Sequence, residues 1–302
     1  MRTLLPIIAF LLSPILHWAQ TPIWTKAYRI NNGGNTTNID FERANDGSFY
    51  HAGTFSGNVN FNGKRISSAG GNDIYTVKTN NAGKVQWAVS VGGSNWDQVT
   101  DITCDDSANV YVTGSFSRQF IAGNDTFNST GFSQSGYLTK IDSSGNIKWT
   151  RVATGTSIQL GKAVITDDKG FVYWAGDYFG NSTVAGKSIS AAGNSYDVFL
   201  AKISHSGNTV RVNAYGGNSS DQVVGLALAG KVVYMTGNFF SSNFKIGKTT
   251  LSTSGSFDVF LARMDTAFTP GWFIKGGSTG SDQVFGIHAS ADGSVALTGT
   301  FQ

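Results

Sequence analysis

The sequence predicts an all-β fold built from a unit of about sixty residues that recurs along the chain. The first observation is composition: 38 of the 302 residues are glycine, only 4 are proline, and charged residues make up 14%. The second is that asparagine, serine and threonine dominate the remaining polar residues, which is typical of short strands joined by tight turns. The third is internal periodicity, which is the signature of a repeat architecture.

Four sequence markers recur in the same phase. A Gly-x-aromatic motif occurs at intervals of 61 or 62 residues and begins at Gly53, Gly114, Gly176, Gly237 and Gly299. An Asp-x-aromatic run, such as that from Asp197 to Lys202, recurs at the same period. The other two markers are a tryptophan after a turn (Trp24, Trp87, Trp149, Trp272) and the tripeptide Asp-Gln-Val, which begins at Asp97, Asp221 and Asp282. Agreement of four markers over nearly the whole chain indicates a true repeat.

The repeat predicts units at 24–86, 87–148, 149–211 and 212–271, with a partial unit at 272–302. Each unit is expected to contain four strands of about five to seven residues. Apolar residues occupy both faces of several strands, as expected when each sheet is packed between two others. Such four-stranded units are the blades of a β-propeller, so residues 20–302 are predicted to form one propeller domain.

The first 19 residues have the features of a secretory signal peptide. Arg2 supplies a positive charge, and the apolar run from Leu4 to Leu16 is too short to span a bilayer. Cleavage is expected after Ala19. No later stretch is apolar for about 18 residues, so we expect no transmembrane segment after cleavage and a secreted or cell-surface location.

The last unit stops at Gln302, soon after its Gly-x-aromatic motif. In the earlier units, about twenty further residues separate that motif from the Asp-x-aromatic run. The sequence therefore predicts an incomplete propeller, either an open arc or a ring with a gap. Unpaired edges or faces of that kind favour association.

No arrangement of residues in the sequence indicates catalysis, a metal or a cofactor. His51, His205 and His288 share no repeat phase and form no zinc-binding pattern, and Glu42 is the sole glutamate. Cys104 lies in an apolar strand and is expected to be a buried small hydrophobe. Lysine and arginine are scattered singly and the net charge is only +3, which argues against nucleic-acid binding.

Asp-rich turns raise the question of a calcium site. Asp105-Asp106 and Asp167-Asp168 supply two carboxylates per turn, whereas calcium takes six or more oxygen ligands. We therefore favour Asx turns, in which a side-chain oxygen accepts hydrogen bonds from the backbone of its own turn.

The recurring Asp97, Asp221 and Asp282 have two interpretations. They would form a ring of acids around a propeller axis, or each would act as a latch that accepts backbone hydrogen bonds from its loop. Ile158 and Thr36 are expected at this position in the two units that lack the aspartate. Repetition favours the latch, since a binding site usually breaks the symmetry of a repeat.

The aromatic residues divide into periodic and non-periodic sets. Tyr75, Tyr137, Phe199 and Phe260 recur in phase, so we expect them to pack between blades. Trp96 and Trp174 do not recur, and they are weak candidates for ligand binding.

Together the markers resemble the SBBP-type β-propeller repeat of bacterial secreted proteins. The resemblance covers about residues 22–302 and rests on Trp87, Gly92-Gly93, Asp97-Gln98-Val99, the run from Val110 to Phe116, and Asp197 to Lys202. It implies an extracellular or surface protein, often from a Bacteroidota-like organism, in which a C-terminal sorting domain commonly follows. The family name implies seven blades, whereas this chain supplies four units and part of a fifth.

Three functions stay open on the sequence. The favoured one is a non-enzymatic scaffold that presents loops to an unknown protein or glycan. The second is a glycan-binding module, which would carry exposed aromatic rings beside Asp and Asn on one rim. The third is a propeller hydrolase or lyase, which would bring several acids and a His or Arg together on one face outside the repeat phase.

Overall fold

The computed structural model describes residues 35–130 and 133–302. These residues form strands, turns and loops, which confirms the predicted all-β class. No helix occurs among them, and so none of the described segments is a helix that would cross a membrane. The predicted signal peptide, its cleavage site after Ala19 and the Trp24 strand lie outside the described residues.

Four antiparallel sheets follow one another along the chain. In each of them a short hairpin is inserted between the second and third strands. Sheet I contains β1 (Asn35–Arg43), β2 (Phe49–Ser56), the hairpin β3 (Asn58–Phe61) and β4 (Lys64–Ser67), β5 (Asp73–Thr79) and β6 (Val85–Val91). Sheet II contains β7 (Gln98–Cys104), β8 (Val110–Ser117), the hairpin β9 (Gln119–Ala122) and β10 (Asp125–Asn128), β11 (Gln134–Ile141) and β12 (Ile147–Gly155).

The next two sheets repeat this order. Sheet III contains β13 (Gln159–Thr166), β14 (Val172–Phe179), the hairpin β15 (Asn181–Val184) and β16 (Lys187–Ser190), β17 (Tyr196–Ile203) and β18 (Thr209–Tyr215). Sheet IV contains β19 (Asp221–Ala229), β20 (Val232–Phe239), the hairpin β21 (Phe244–Ile246) and β22 (Thr249–Leu251), β23 (Asp258–Asp265) and β24 (Pro270–Gly276). Sheet V consists of β25 (Gln283–Ala289) and β26 (Val295–Thr300).

The inserted hairpins are additional to the four strands per unit that the sequence predicts. Each hairpin supplies apolar residues to a core: Phe120 of β9 stacks on Phe116 and Tyr137, with ring centroids 5.0 and 4.6 Å apart. Strand β15 also pairs with β12, which joins the hairpin of sheet III to the edge of sheet II. The hairpins therefore fill the space beside each sheet and connect neighbouring sheets.

The tryptophan strand ends a sheet and does not begin one. Trp87 lies in β6 and Trp149 in β12, the last strands of sheets I and II. The sheets consequently span 35–91, 98–155, 159–215 and 221–276, and the predicted units are shifted from them by one strand. An unbroken repeat fixes the spacing of its elements, but it can be divided into units at any turn.

The four sheets are stacked face to face in chain order. Because successive side chains of a strand point to opposite faces, each strand serves two cores. In β14, Val172 and Trp174 belong to the core shared with sheet II, while Tyr173 and Ala175 belong to the core shared with sheet IV. A third core lies between sheets I and II. This arrangement matches the apolar residues that the sequence places on both strand faces.

The first strands of successive sheets contact one another in turn and share a β-bulge at the same position. In each sheet the recurring glycine of the second strand pairs with the residue just before the bulge. A Cβ at Gly114 would overlap the carbonyl oxygen of Gln98. The same overlap with the first strand occurs at Gly53, Gly176, Gly237 and Gly299. The glycine is therefore required by close backbone approach within one sheet.

Strand pairing within 35–130 and 133–302 closes no ring. Sheet V packs against sheet IV through β25, which contacts β19 and β20, and no described strand pairs it with sheet I. The described architecture is a stack of repeated sheets.

Candidate functional site

The stack has two ends with different connections. One end carries the loops between sheets and the inserted hairpins, and we call it the loop rim. The turn rim is the opposite end, where tight turns join the first strand to the second and the third strand to the fourth. The recurring aspartates and Trp96 lie at the loop rim, whereas Trp174 lies inside the stack on β14.

The recurring aspartates are buried at the loop rim and accept hydrogen bonds from loop residues. Asp97 Oδ2 accepts a hydrogen bond from Gly93 N over 2.8 Å, and Asp282 Oδ2 accepts one from Ser278 N over 2.8 Å. Asp221 Oδ2 accepts instead from Ser241 Oγ over 2.7 Å. All three side chains are almost completely inaccessible, so they form no exposed ring of acids. Burial raises the pKa of Asp97 and of Asp221 to about 7.

The residue equivalent to Asp97 in sheet III is Gln159, not Ile158 as the sequence suggests. Gln159 pairs with Tyr178 just as Asp221 pairs with Phe239, and both partners are the aromatic residue of the Gly-x-aromatic motif. The tripeptide Ile-Gln-Leu imitates Asp-Gln-Val, which displaces the alignment by one residue. Thr36 does occupy this position in sheet I, where it pairs with Phe55.

The two candidate tryptophans lie in opposite environments. Trp174 has no exposed surface, and its Nε1 donates to Thr113 Oγ1 over 2.7 Å between sheets II and III. The structure thus assigns Trp174 to core packing in place of the ligand contact that its lack of periodicity suggests. Trp96 is 64% exposed in the loop between sheets I and II, beside Gly71.

Sheets III and IV carry an aromatic pair at the loop rim that the first two sheets lack. Phe179 and Tyr196 have ring centroids 5.6 Å apart, and Phe240 and Phe257 are 5.4 Å apart. Sheets I and II have Ser56 with Asn72 and Ser117 with Gln134 at the corresponding places. Phe240 is 43% exposed. The aromatic side chains of this rim therefore depart from the repeat.

Amide and hydroxyl groups adjoin the Phe240 pair. Asn218, in the loop between sheets III and IV, exchanges hydrogen bonds with Ser242: Asn218 Nδ2 donates to Ser242 Oγ over 2.9 Å, and Ser242 N donates to Asn218 Oδ1 over 3.0 Å. Asn218 N also donates to Asn243 Oδ1 over 2.7 Å. These bonds fix two loops next to an exposed aromatic ring, so the surface combines a flat apolar group with polar neighbours.

The turn rim is held by contacts that repeat from sheet to sheet. In sheets I, II and III, a lysine near the end of the third strand lies over a tyrosine ring, 5.2 or 5.3 Å from the centroid, and reaches a turn of the next sheet. The contacts are Lys78 Nζ to Ser143 O (3.5 Å), Lys140 Nζ to His205 O (3.1 Å) and Lys202 Nζ to Thr266 O (2.8 Å). Burial lowers the pKa of Lys140 and of Lys202.

A cleft of about 190 Å³ lies at the turn rim between sheets II and III. His205 lines it at a turn position that holds Ser143 and Thr266 in the neighbouring sheets. His205 Nδ1 lies 3.7 Å from Asp105 Oδ2 and 2.9 Å from Lys140 Nζ. The histidine is thus the one member of this contact that departs from the repeat.

Asp105 and Asp167, two of the four aspartates that line this cleft, are engaged by their own turns. Asp105 Oδ1 accepts from the backbone N–H groups of Ser107 and Asn109, and its Oδ2 accepts from Tyr111 Oη over 2.9 Å. Asp167 bonds its turn and Tyr173 in the same way. The geometry is that of Asx turns. In the described part of the chain, no group of three or more His, Cys, Asp or Glu side chains is placed to hold a metal ion.

The two aromatic pairs were not predicted as binding candidates because each of their residues stands directly beside a periodic marker. Phe179 and Phe240 follow the Gly-x-aromatic motif, and Tyr196 and Phe257 precede the Asp-x-aromatic run. The signal was present as a change from polar to aromatic residues between units.

Cys104 is half-buried beside the core between sheets I and II, and burial raises the pKa of its thiol to about 12.

No protein-family model matches this sequence. A search of curated proteins gave no match either.

Proposed function

We propose that the chain is a non-enzymatic, secreted or cell-surface β-propeller scaffold of the SBBP-repeat type, whose loop rim binds a partner. The architecture supports this proposal through its repeated four-stranded sheets, stacked in chain order with their first strands in successive contact. The secreted location rests on the N-terminal sequence alone.

The observation that carries the proposal is the loss of repeat symmetry at the loop rim. Most periodic residues explain packing: the glycines accommodate a bulge, and the aspartates bind loop backbones. Trp96 does not recur, an aromatic residue equivalent to Phe240 recurs only as Phe179, and both Trp96 and Phe240 are exposed. Exposed aromatic residues are enriched where proteins bind partners.

A glycan is the second candidate partner, and a specific observation favours it. Phe240 is followed two residues later by Ser242, whose hydroxyl is hydrogen-bonded to the amide of Asn218. A flat ring flanked by hydrogen-bonding groups suits the apolar face and hydroxyls of a sugar. A hydrolase or lyase receives less support, since Asp105 and Asp167 of the turn-rim cleft are engaged by their own turns.

A glycan array probed with the purified protein and with its Trp96→Ala and Phe240→Ala variants tests the glycan candidate. Binding of an array component should weaken about tenfold or more in at least one of these variants. Val210→Ala is the matched control, since Val210 is 54% exposed on β18 away from the loop rim. Equal binding by wild type and both aromatic variants would exclude the loop rim as the binding surface.

A further inference from the structure

Two buried carboxyl groups meet at three of the junctions between successive sheets. One carboxyl lies at the start of the third strand of a sheet, and the other at the start of the first strand of the next. The pairs are Asp73 with Asp97, Asp197 with Asp221, and Asp258 with Asp282. Each of these side chains is at most 2% exposed.

Local contacts hold the members of a pair together. Asp97 N donates to the carbonyl oxygen of the residue just before Asp73 over 2.8 Å. At the junction of sheets IV and V, Asp258 Oδ1 and Asp282 Oδ2 lie 2.5 and 2.8 Å from the point that a Cβ on Gly277 would occupy. At the other two junctions, a Cβ on Gly92 would overlap the carboxyl of Asp73 and a Cβ on Gly216 that of Asp197, so glycine leaves room for the buried acid.

The first two pairs contain buried oxygens without hydrogen-bond partners. Asp73 Oδ1, Asp97 Oδ1 and Asp197 Oδ1 are such atoms, while the other oxygen of each accepts a backbone N–H. No ion pair joins these carboxyls to a lysine or arginine among the described residues. The titratable groups that act on them are the partner carboxyl, with Tyr137 facing Asp97 and Tyr178 facing Asp197.

At the other two junctions, the positions of the two carboxyl groups have different surroundings or different residues. At the junction of sheets IV and V, Lys275 Nζ lies 3.2 Å from Asp258 Oδ2, so a cation compensates the pair, although Asp258 Oδ1 also lacks a hydrogen bond. At the junction of sheets II and III, Ser135 and Gln159 take the two positions, and no carboxyl is present. The chain therefore contains compensated and uncharged versions of the arrangement.

We propose that the pairs Asp73–Asp97 and Asp197–Asp221 each hold a proton between two carboxyl groups, which makes two sheet junctions acid-stabilised locks. Two adjacent buried carboxyls without a cation do not both ionise, because neither water nor an opposite charge compensates them. A proton on Asp97 Oδ1 turns that oxygen into a donor for the unpartnered oxygen of Asp73. The lock loosens when the proton is lost.

The direction of the pH effect follows from the folded-state pKa values. Burial raises the pKa of Asp73 and Asp197 to about 6 and that of Asp97 and Asp221 to about 7, from an ordinary value of 3.8. The folded protein then binds these protons more tightly than the unfolded chain. Their stabilising contribution is complete below about pH 4 and is lost as the pH rises through about 6 to 7.

Asparagine imitates a carboxyl that never loses its proton. In Asp97→Asn, the amide oxygen still accepts from Gly93 N, and the amide N–H replaces the carboxyl proton toward Asp73. Asp221→Asn makes the same change at the other lock. Asp282→Asn is the matched control, because Lys275 compensates the pair to which Asp282 belongs.

Denaturant unfolding at about pH 5 and about pH 8 measures the effect. Other buried carboxyls, such as Asp177 and Asp101, also titrate, so the comparison is between variants and wild type. Each lock should contribute about a hundredfold to the fall in the folding equilibrium constant between these pH values. That contribution should disappear in Asp97→Asn and Asp221→Asn and persist in Asp282→Asn. An unchanged pH dependence in both lock variants, or an equal loss in the control, would overturn the proposal.

Infrared spectroscopy supplies a readout that does not depend on unfolding. The carbonyl band of protonated carboxyl groups should persist in the folded wild type near pH 6, where exposed aspartates are ionised, and should weaken in each lock variant. Absence of that band in the wild type would overturn the proposal even if neither variant folds.

Discussion

The absence of a side chain at one position governs how the second strand of each sheet meets the first. At Gly114 the first strand bulges, and the Gln98 carbonyl oxygen occupies the space that a Cβ would need. Recurrence in phase indicates that this position requires glycine. It does not distinguish a positive φ from close backbone approach, since both demand glycine. Only the register of β7 against β8 distinguishes them.

Gly114→Ala should lower the free energy of unfolding by about 3 kcal/mol or more, since the added methyl group displaces a backbone carbonyl. Chemical denaturation at a fixed pH measures the loss. Gly276→Ala is the matched control: Gly276 also lies in a strand, but a Cβ there meets nothing within 4 Å. The explanation by close approach is wrong if the two variants are equally stable.

Asp221→Ala should lower the free energy of unfolding by about 1–3 kcal/mol, because Ser241 loses its side-chain acceptor in a buried loop. Asp97→Ala should have a similar effect through the loss of the acceptor for Gly93 N. Unfolding is best measured near pH 5, where the paired carboxyls retain their proton. A variant as stable as wild type would show that the loop does not depend on this latch.

Strands of neighbouring sheets are joined by side-chain hydrogen bonds as well as by apolar packing. Trp174 Nε1 in β14 donates to Thr113 Oγ1 in β8, and the same hydroxyl donates to the carbonyl oxygen of Tyr137 over 2.7 Å.

The four long strands of each sheet were predictable from the alternation of apolar residues and from turn residues. The hairpins between second and third strands were not, since three or four residues give too short an apolar pattern to read. The aromatic pairs at the loop rim could not be predicted for a related reason, because two residues per unit show no period of their own.

Thr113→Val should destabilise the junction of sheets II and III, because a buried indole N–H loses its acceptor at a cost of about 1–3 kcal/mol. Thr236→Val is the matched control. Thr236 occupies the same position in sheet IV and donates to the Phe260 carbonyl oxygen, but no tryptophan bonds to it. Denaturant unfolding, with tryptophan fluorescence as the local readout, compares them. Equal losses in both variants would leave the Trp174 bond without a specific role.

Across the whole molecule, stability should follow position in the stack. Each sheet buries its faces chiefly against the sheets before and after it, so the free energy is a sum of sheet terms and junction terms, as in other repeat proteins. Every residue of β14 except Phe179 is buried, because sheets II and IV cover both faces. In β26 the burial is partial at alternate positions and absent at the others. The same strand of the repeat therefore has very different surroundings in different units.

Hydrogen exchange tests this gradient with strands of matched sequence. Strand β8 reads Val-Tyr-Val-Thr-Gly and β26 reads Val-Ala-Leu-Thr-Gly, so their intrinsic exchange rates are similar. Amides of β8 should exchange only through large-scale opening, because that strand is paired on both sides and buried between two cores. Amides of β26 should exchange through local opening, orders of magnitude faster. Equal protection of the two strands would mean that the stack unfolds as a single cooperative unit and that its junctions are stronger than the burial indicates.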